Sequence, residues 1–315
     1  MRPAAWPRLQ DRPEPTLPVC GQAEWTPALR RYAAILKLEP CTVAGRALLG
    51  VSESGPKAQD GADWQPGLAA AMAAHLLALP ADLPAEAIRR RLPMIATWVA
   101  ARLRATETAA LPATGPGDAD WQLASPAEPY AAYFSVEEAR LRHRRHDGGW
   151  TPELLRAVFV SGDATVVLPR DPARDRVLLI DQFRAGPALR GDRRPWLHET
   201  VAGRVDATET PEAAALREAV EEAGLAIRQL IPGPHNYPSP GAVAEYLYLY
   251  IGIADLPDEA AGIGGLDSED EDIRSHLIPR AELTRMALAG EIRNGPLLNL
   301  ALWLELRHEA LRRGS

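Results

Sequence analysis

The stretch from Gly203 to Leu225 constrains this chain more than any other part of it. It reads Gly203-Arg-Val-Asp-Ala-Thr-Glu209, seven further residues, then Arg217-Glu218-Ala219-Val220-Glu221-Glu222-Ala223-Gly224-Leu225. Thr210 is a helix-capping residue type, Pro211 suits a first helical position, and Gly224 suits the left-handed residue that ends a helix. The spacing therefore predicts a helix over 211–223. On it, Ala213, Leu216, Val220 and Ala223 are expected to share the apolar face, with Glu218, Glu221 and Glu222 on roughly the opposite one. Three carboxylates so close repel one another unless a cation joins them. Mg²⁺, a hard ion that prefers carboxylate, carbonyl and water oxygens, meets that need. The motif holds no His or Cys, which counts against zinc there. Three helical glutamates alone are more readily read as a solvated surface. The loop glycine, Glu209, the Arg-Glu pair and the Glu-Glu-x-Gly end decide the matter, because their chance match at these offsets is on the order of one in ten million.

The rest of the chain frames this motif. At 315 residues it has room for one large or two modest domains. Residues 1–20 are Pro-rich and expected to be poorly ordered, and 21–111 read as a mainly helical accessory region of unknown function. Leu68, Met72, Leu76 and Leu79 recur at helical spacing, as do Ile88, Leu92, Ile95 and Val99. Residues 112–127, rich in Pro, Gly, Asp and Ser, read as a linker. From 128 to 312 β-like runs alternate with helical ones. Strands are expected at Arg156–Leu168, Arg176–Phe183, Leu197–Val201 and Tyr246–Ile253, and helices at Pro211–Ala223, Arg280–Ala289 and Gly295–Arg312. That alternation predicts an α/β or α+β domain.

Composition excludes several function classes. A net charge of -7 argues against nucleic acid as the main partner. No apolar run reaches the length needed to span a bilayer, and the N-terminus has no apolar core of a signal peptide. Cys20 and Cys41 lack metal-ligand spacing and suit a reducing compartment, so a cytoplasmic enzyme is expected.

The motif matches the Nudix box, G-x5-E-x7-R-E-U-x-E-E-x-G-U, with Ala219 as a small occupant of its first apolar slot. The likeness extends to Tyr133-Phe-Ser-Val, Arg142-His143, Asp147-Gly148, Arg156-Ala-Val-Phe159, Val177–Arg184, Pro195-Trp196 and Glu199–Gly203. It continues through Ser239-Pro240-Gly241 with Glu245, and through the acidic run Gly265–Arg274. These residues resemble the ADP-ribose pyrophosphatase subfamily of Nudix hydrolases, with a flavour of the members associated with tellurite resistance. The resemblance covers about 128–312. It implies an αβα sandwich with a mixed β-sheet, and Mg²⁺ (or Mn²⁺ as a substitute) acting at the diphosphate of a nucleoside-diphosphate substrate.

It also implies roles. Glu218 and Glu222 bind metal, helped by the backbone carbonyl of Ala202, with Glu221 beside them as a catalytic carboxylate. Gly203, Glu209, Arg217 and Gly224 brace the box. In the acidic loop Glu269 falls on the catalytic base and Glu271 on a further metal ligand, with Glu271 as the base in the alternative register. Arg156, Arg184, Arg204, Ser239 and Glu245 are expected near substrate, and Tyr133 and Phe134 to stack adenine from a partner subunit of a homodimer. Ala157 and Ser161 stand where relatives often carry Glu and Arg, and Arg204 replaces an apolar residue. The implied reaction is hydrolysis of ADP-ribose to AMP and ribose 5-phosphate. A broader nucleotide-sugar or dinucleotide pyrophosphatase and a non-catalytic ADP-ribose sensor are the alternatives.

Overall fold

The structure, a computed structural model, describes residues 25–43, 46–51, 65–80, 82–107, 120–124, 126–264 and 272–313. It divides into two compact units. One runs to Ser135 and takes in Ala139–Leu155; the other comprises Val136–Glu138 and the chain from Arg156.

The first unit opens with α1 (Pro27–Leu36), capped by the Thr26 hydroxyl, which accepts from the Leu29 N–H at 3.1 Å. A hairpin of β1 (Leu38–Val43) and β2 (Arg46–Val51) follows, paired from Leu38↔Val51 to Val43↔Arg46. The hairpin is the non-helical part of a region expected to be mainly helical, and the reason is local: its segments carry Pro40, Gly50 and β-branched residues without helical periodicity. Three helices come next: α2 (Pro66–Ala78), α3 (Ala85–Arg90) and α4 (Leu92–Glu107). Their periodic residues Leu68, Met72, Leu76, Ile88, Ile95 and Val99 are buried as the spacing predicts. Three strands complete the series: β3 (Trp121–Leu123), β4 (Ala127–Ala131) and β5 (Ser135–His143). β3 lies inside the expected linker, and its pairing with β5, Trp121↔His143 to Leu123↔Leu141, is what makes it a strand.

The second unit is built on a mixed sheet. Its strands are β6 (Leu154–Val160), which starts just before the unit's boundary, β7 (Ala164–Asp171) and β8 (Arg176–Phe183). After the short helix α5 (Ala185–Arg190) come β9 (Trp196–Glu199) and β10 (Val201–Arg204), then helix α6 (Pro211–Ala223). Strands β11 (Gln229–Pro232), β12 (Val243–Ala244), β13 (Leu247–Ile253), β14 (Gly262–Gly264) and β15 (Ile273–Pro279) precede α7 (Arg280–Leu288) and α8 (Gly295–Arg313). Eight strands form one sheet in the order β11-β13-β7-β8-β15-β14, with β10 on β7 and β9 on β8; β13 and β7 run parallel. β12 instead pairs with β6. The single run expected over 156–168 is broken at Gly162, whose φ of +83° only glycine adopts without strain.

Both faces of the sheet are covered, which explains why β7 and β8 read as continuous apolar runs. Val166, Leu168, Val177 and Leu179 pack against Leu283, Met286, Leu297 and Leu300 of α7 and α8. Their neighbours Val167 and Val201 meet Ala215 and Ala219 of α6, while Leu178 and Ile180 meet Leu225. The result is the expected αβα sandwich, with α6 on one side of its central strands and α7 and α8 on the other. No helix among the described residues is long and apolar enough to cross a membrane.

Candidate active site

Helix α6 is fixed at both ends. The Thr210 hydroxyl accepts from the Ala213 N–H at 3.2 Å, and Gly224 closes the C-terminus at φ +63° with its N–H on the Val220 carbonyl at 2.9 Å. Its faces, however, are not the expected ones. Leu216 and Val220 are 42% and 58% exposed, whereas Ala214, Ala215, Ala219 and Glu222 are buried. Small side chains let the helix approach the sheet closely, and this turns the functional glutamates inward beside β10.

Two consecutive β10 residues receive two glutamates one helical turn apart. The Ala202 N–H donates to the Glu222 carboxylate at 3.0 Å. Next to it, Gly203 lies so close to Glu218 that a Cβ there would overlap the Glu218 carboxylate. Glu222 is only 4% exposed. Burying a carboxylate is costly unless donors or cations compensate. Arg217 supplies part of the compensation. Its Nε and one terminal nitrogen donate to Glu209 at 2.9 and 3.0 Å, and its other terminal nitrogen to Glu218 at 2.6 Å and Glu221 at 2.7 Å. The Arg204 carbonyl accepts from it as well. Hydrogen bonding to Glu209 is the chief reason that this guanidinium holds its proton more tightly than usual, with burial opposing. One positive charge thus faces three carboxylates, with Glu222 next to them. An all-oxygen, net-negative donor set of this kind fits a hard divalent cation.

The other expected residues fall into separate groups. Arg184 grips Glu199 through two bonds of 2.9 and 2.8 Å, with Glu199 5% exposed at its side chain. No local sequence signal marks Glu199; its pairing with Ile180 places it on the α6 face. Arg204 donates to the Ser161 carbonyl at 2.8 Å, and the Ser161 hydroxyl donates to Glu245 at 2.9 Å. Burial raises the Glu245 pKa against the opposing effects of the Ser161 bond and Arg204. Ser161, noted only as a departure from relatives, therefore joins two expected substrate residues. Ser239 is exposed in a turn, where its carbonyl accepts from Ala242 and Val243, and Arg156 is exposed on β6. In the first unit Tyr133 is 62% exposed and its ring meets Phe134 edge-on at 4.7 Å. Glu269 and Glu271 lie outside the described residues. A cleft of about 780 Å³, lined by Glu221, Glu222, Arg228, Glu259, Ile263 and Gly264 among others, adjoins the C-terminal half of α6.

Comparison with known proteins bears on this site. The NUDIX domain family matches residues 161–300. The ADP-ribose pyrophosphatase of Escherichia coli strain K12 is 39% identical over 183 residues, covering 58% of this chain and 87% of that protein. The GDP-mannose pyrophosphatase of Escherichia coli O1:K1 is 31% identical over 179 residues, covering 56% and 90%. A solved structure described as an ADP compounds hydrolase aligns over 60% of this chain and 96% of its own, at 16% identity and a TM-score of 0.46.

Proposed function

This chain belongs to the NUDIX family, and from that premise we propose that it hydrolyses the diphosphate of ADP-ribose to AMP and ribose 5-phosphate with Mg²⁺. The observation that carries the proposal is the pair of glutamates set against Ala202 and Gly203. Glu218 and Glu222, with the Ala202 carbonyl, would hold the cation, and Mn²⁺ is a natural substitute. When bound, the ion offsets the charge of the diphosphate and polarises its P–O bond. Arg217 keeps Glu218 and Glu221 aligned by hydrogen bonds to both. Glu269 takes the proton of the attacking water, with Glu271 as the other candidate in the acidic loop. Arg184, already oriented by Glu199, presents a planar fork suited to phosphate oxygens. Glu245 and Ser239 face the ribose side.

Tyr133 and Phe134 are assigned to a second copy's active site in a homodimer, a reading supported by the exposure of the Tyr133 ring. The relative that acts on GDP-mannose favours one further outcome, a broader nucleotide-sugar specificity. The test is a substrate panel with Mg²⁺, products separated by ion-exchange chromatography. ADP-ribose should give AMP and the highest kcat/KM. A higher kcat/KM for GDP-mannose would transfer the assignment to the broader class, and no turnover of any diphosphate would remove it.

A further inference from the structure

Across the sheet from the Nudix helix, three strands bring together a different set of side chains. β8 lies between β9 and β15, and its Asp181 is the register partner of His198 on β9 and of Arg274 on β15. His276 stands two residues beyond Arg274, so the pleat puts it on the same face. That face is the one covered by α7 and α8: Val177 and Leu179, in phase with Asp181, pack there, whereas Leu178 and Ile180 pack on the α6 side. The cluster is therefore separated by the sheet's thickness from Glu218 and Glu222.

Its geometry is compact. The His198 Nδ1 lies 2.5 Å from one Asp181 oxygen, and the His276 Nδ1 lies 3.9 Å from the other. The two imidazole rings meet edge-on at 5.4 Å. One ligand atom from each residue lies within 4.8 Å of the other two, and among the described residues this is the group of His, Cys, Asp and Glu side chains so arranged. All three side chains are partly exposed, so an ion and its remaining waters have access.

We propose that Asp181, His198 and His276 form a binding site for a borderline divalent transition metal, Zn²⁺ in the first instance, distinct from the carboxylate site on α6. Two imidazoles and one carboxylate are a donor set that Zn²⁺ accepts and Mg²⁺ disfavours. Ligands at about 2.0–2.2 Å in a tetrahedral site stand a little over 3 Å apart, so the His198–Asp181 contact must lengthen by about 1 Å while the three ligand atoms, now within 4.8 Å of one another, draw around the ion. The β-ladder holds the three Cα positions, which leaves side-chain rotation to make that change. Burial keeps His276 less basic than an ordinary histidine, with Asp181 acting against it and His198 and Arg274 in the same direction as burial. The exposed Arg274 and the Glu291 carboxylate, which is held by Arg285, are the other charges that bear on the cluster. Binding must displace the His198–Asp181 hydrogen bond and compete with protonation of the imidazoles, so affinity should fall at acidic pH.

The experiment uses the full chain, stripped with a chelator, and Co²⁺ as a spectroscopic probe. One equivalent should give saturable visible absorption that Zn²⁺ displaces and millimolar Mg²⁺ does not. Glu222→Gln should retain it. His198→Ala/His276→Ala should lose it, and Asp181→Asn should weaken binding by about tenfold or more; Asp181→Asn alone decides if the double variant fails to fold. Absence of a stoichiometric signal, or the same signal in the variants, would overturn the site and leave only a hydrogen-bonded cluster. Neither result bears on hydrolysis at α6.

Discussion

Glu218 packs directly against Gly203, so closely that β10 has no room for a side chain at that position. A Cβ there would meet the Glu218 carboxyl group itself, so a larger residue would displace that carboxylate from its place beside the strand. Ala202, one residue earlier, holds Glu222 through its N–H. The box glycine is required here for close approach, and its φ is not in the left-handed region.

Gly203→Ala should therefore fold and yet lose activity. The methyl group displaces the Glu218 carboxylate, and a shift on the order of 1 Å in a catalytic group costs about 10²-fold in rate. Steady-state kinetics together with a circular dichroism spectrum checks this. Near-normal kcat in the alanine variant would show that Glu218 is not held by this contact in the working enzyme.

Glu245 gives a pH-dependent prediction. Its pKa is raised in the folded state, mainly by burial, so folding favours its protonated form. The associated stability is present below the ordinary glutamate pKa and is lost as pH rises through the raised value. Glu245→Gln, which can still accept from Ser161, should be at least as stable as the wild type at pH 7–8, and the difference should close towards pH 4. Its kcat/KM for ADP-ribose should fall. Thermal denaturation across pH checks the first part, and a variant less stable at pH 8 than at pH 4, relative to wild type, would contradict it.

The acidic loop separates two roles. Glu269→Gln should lower kcat by about 10²-fold or more, with little change in KM or in the Mg²⁺ requirement. Glu271→Gln should instead raise the Mg²⁺ concentration needed for half activity. Mg²⁺ titrations of the two variants read both quantities, and a reversed pattern would make Glu271 the base.

Much of this was legible in the sequence. Thr210, Pro211 and Gly224 marked the ends of α6, and the apolar run Arg176–Phe183 marked β8, because caps and doubly buried strands are written in local residue types. The inward face of α6 was not legible. Hydrophobic size pointed to Leu216 and Val220, but close helix–sheet packing favoured Ala215 and Ala219 and left the larger residues outside. Pairings across strands were also hidden. Arg184 with Glu199, Ser161 with Glu245, and Asp181 with two histidines depend on sheet register, which no local pattern of this chain specifies.

The most direct test of the central claim is the kcat of Glu222→Gln on ADP-ribose, measured across a Mg²⁺ titration alongside wild type. Glu222 is the most deeply buried of the box carboxylates described here, and glutamine keeps its size while removing its charge. The account predicts a folded protein whose turnover falls by at least about 10²-fold, with part of the loss recovered at high Mg²⁺. Wild-type turnover at ordinary Mg²⁺ concentrations would contradict it.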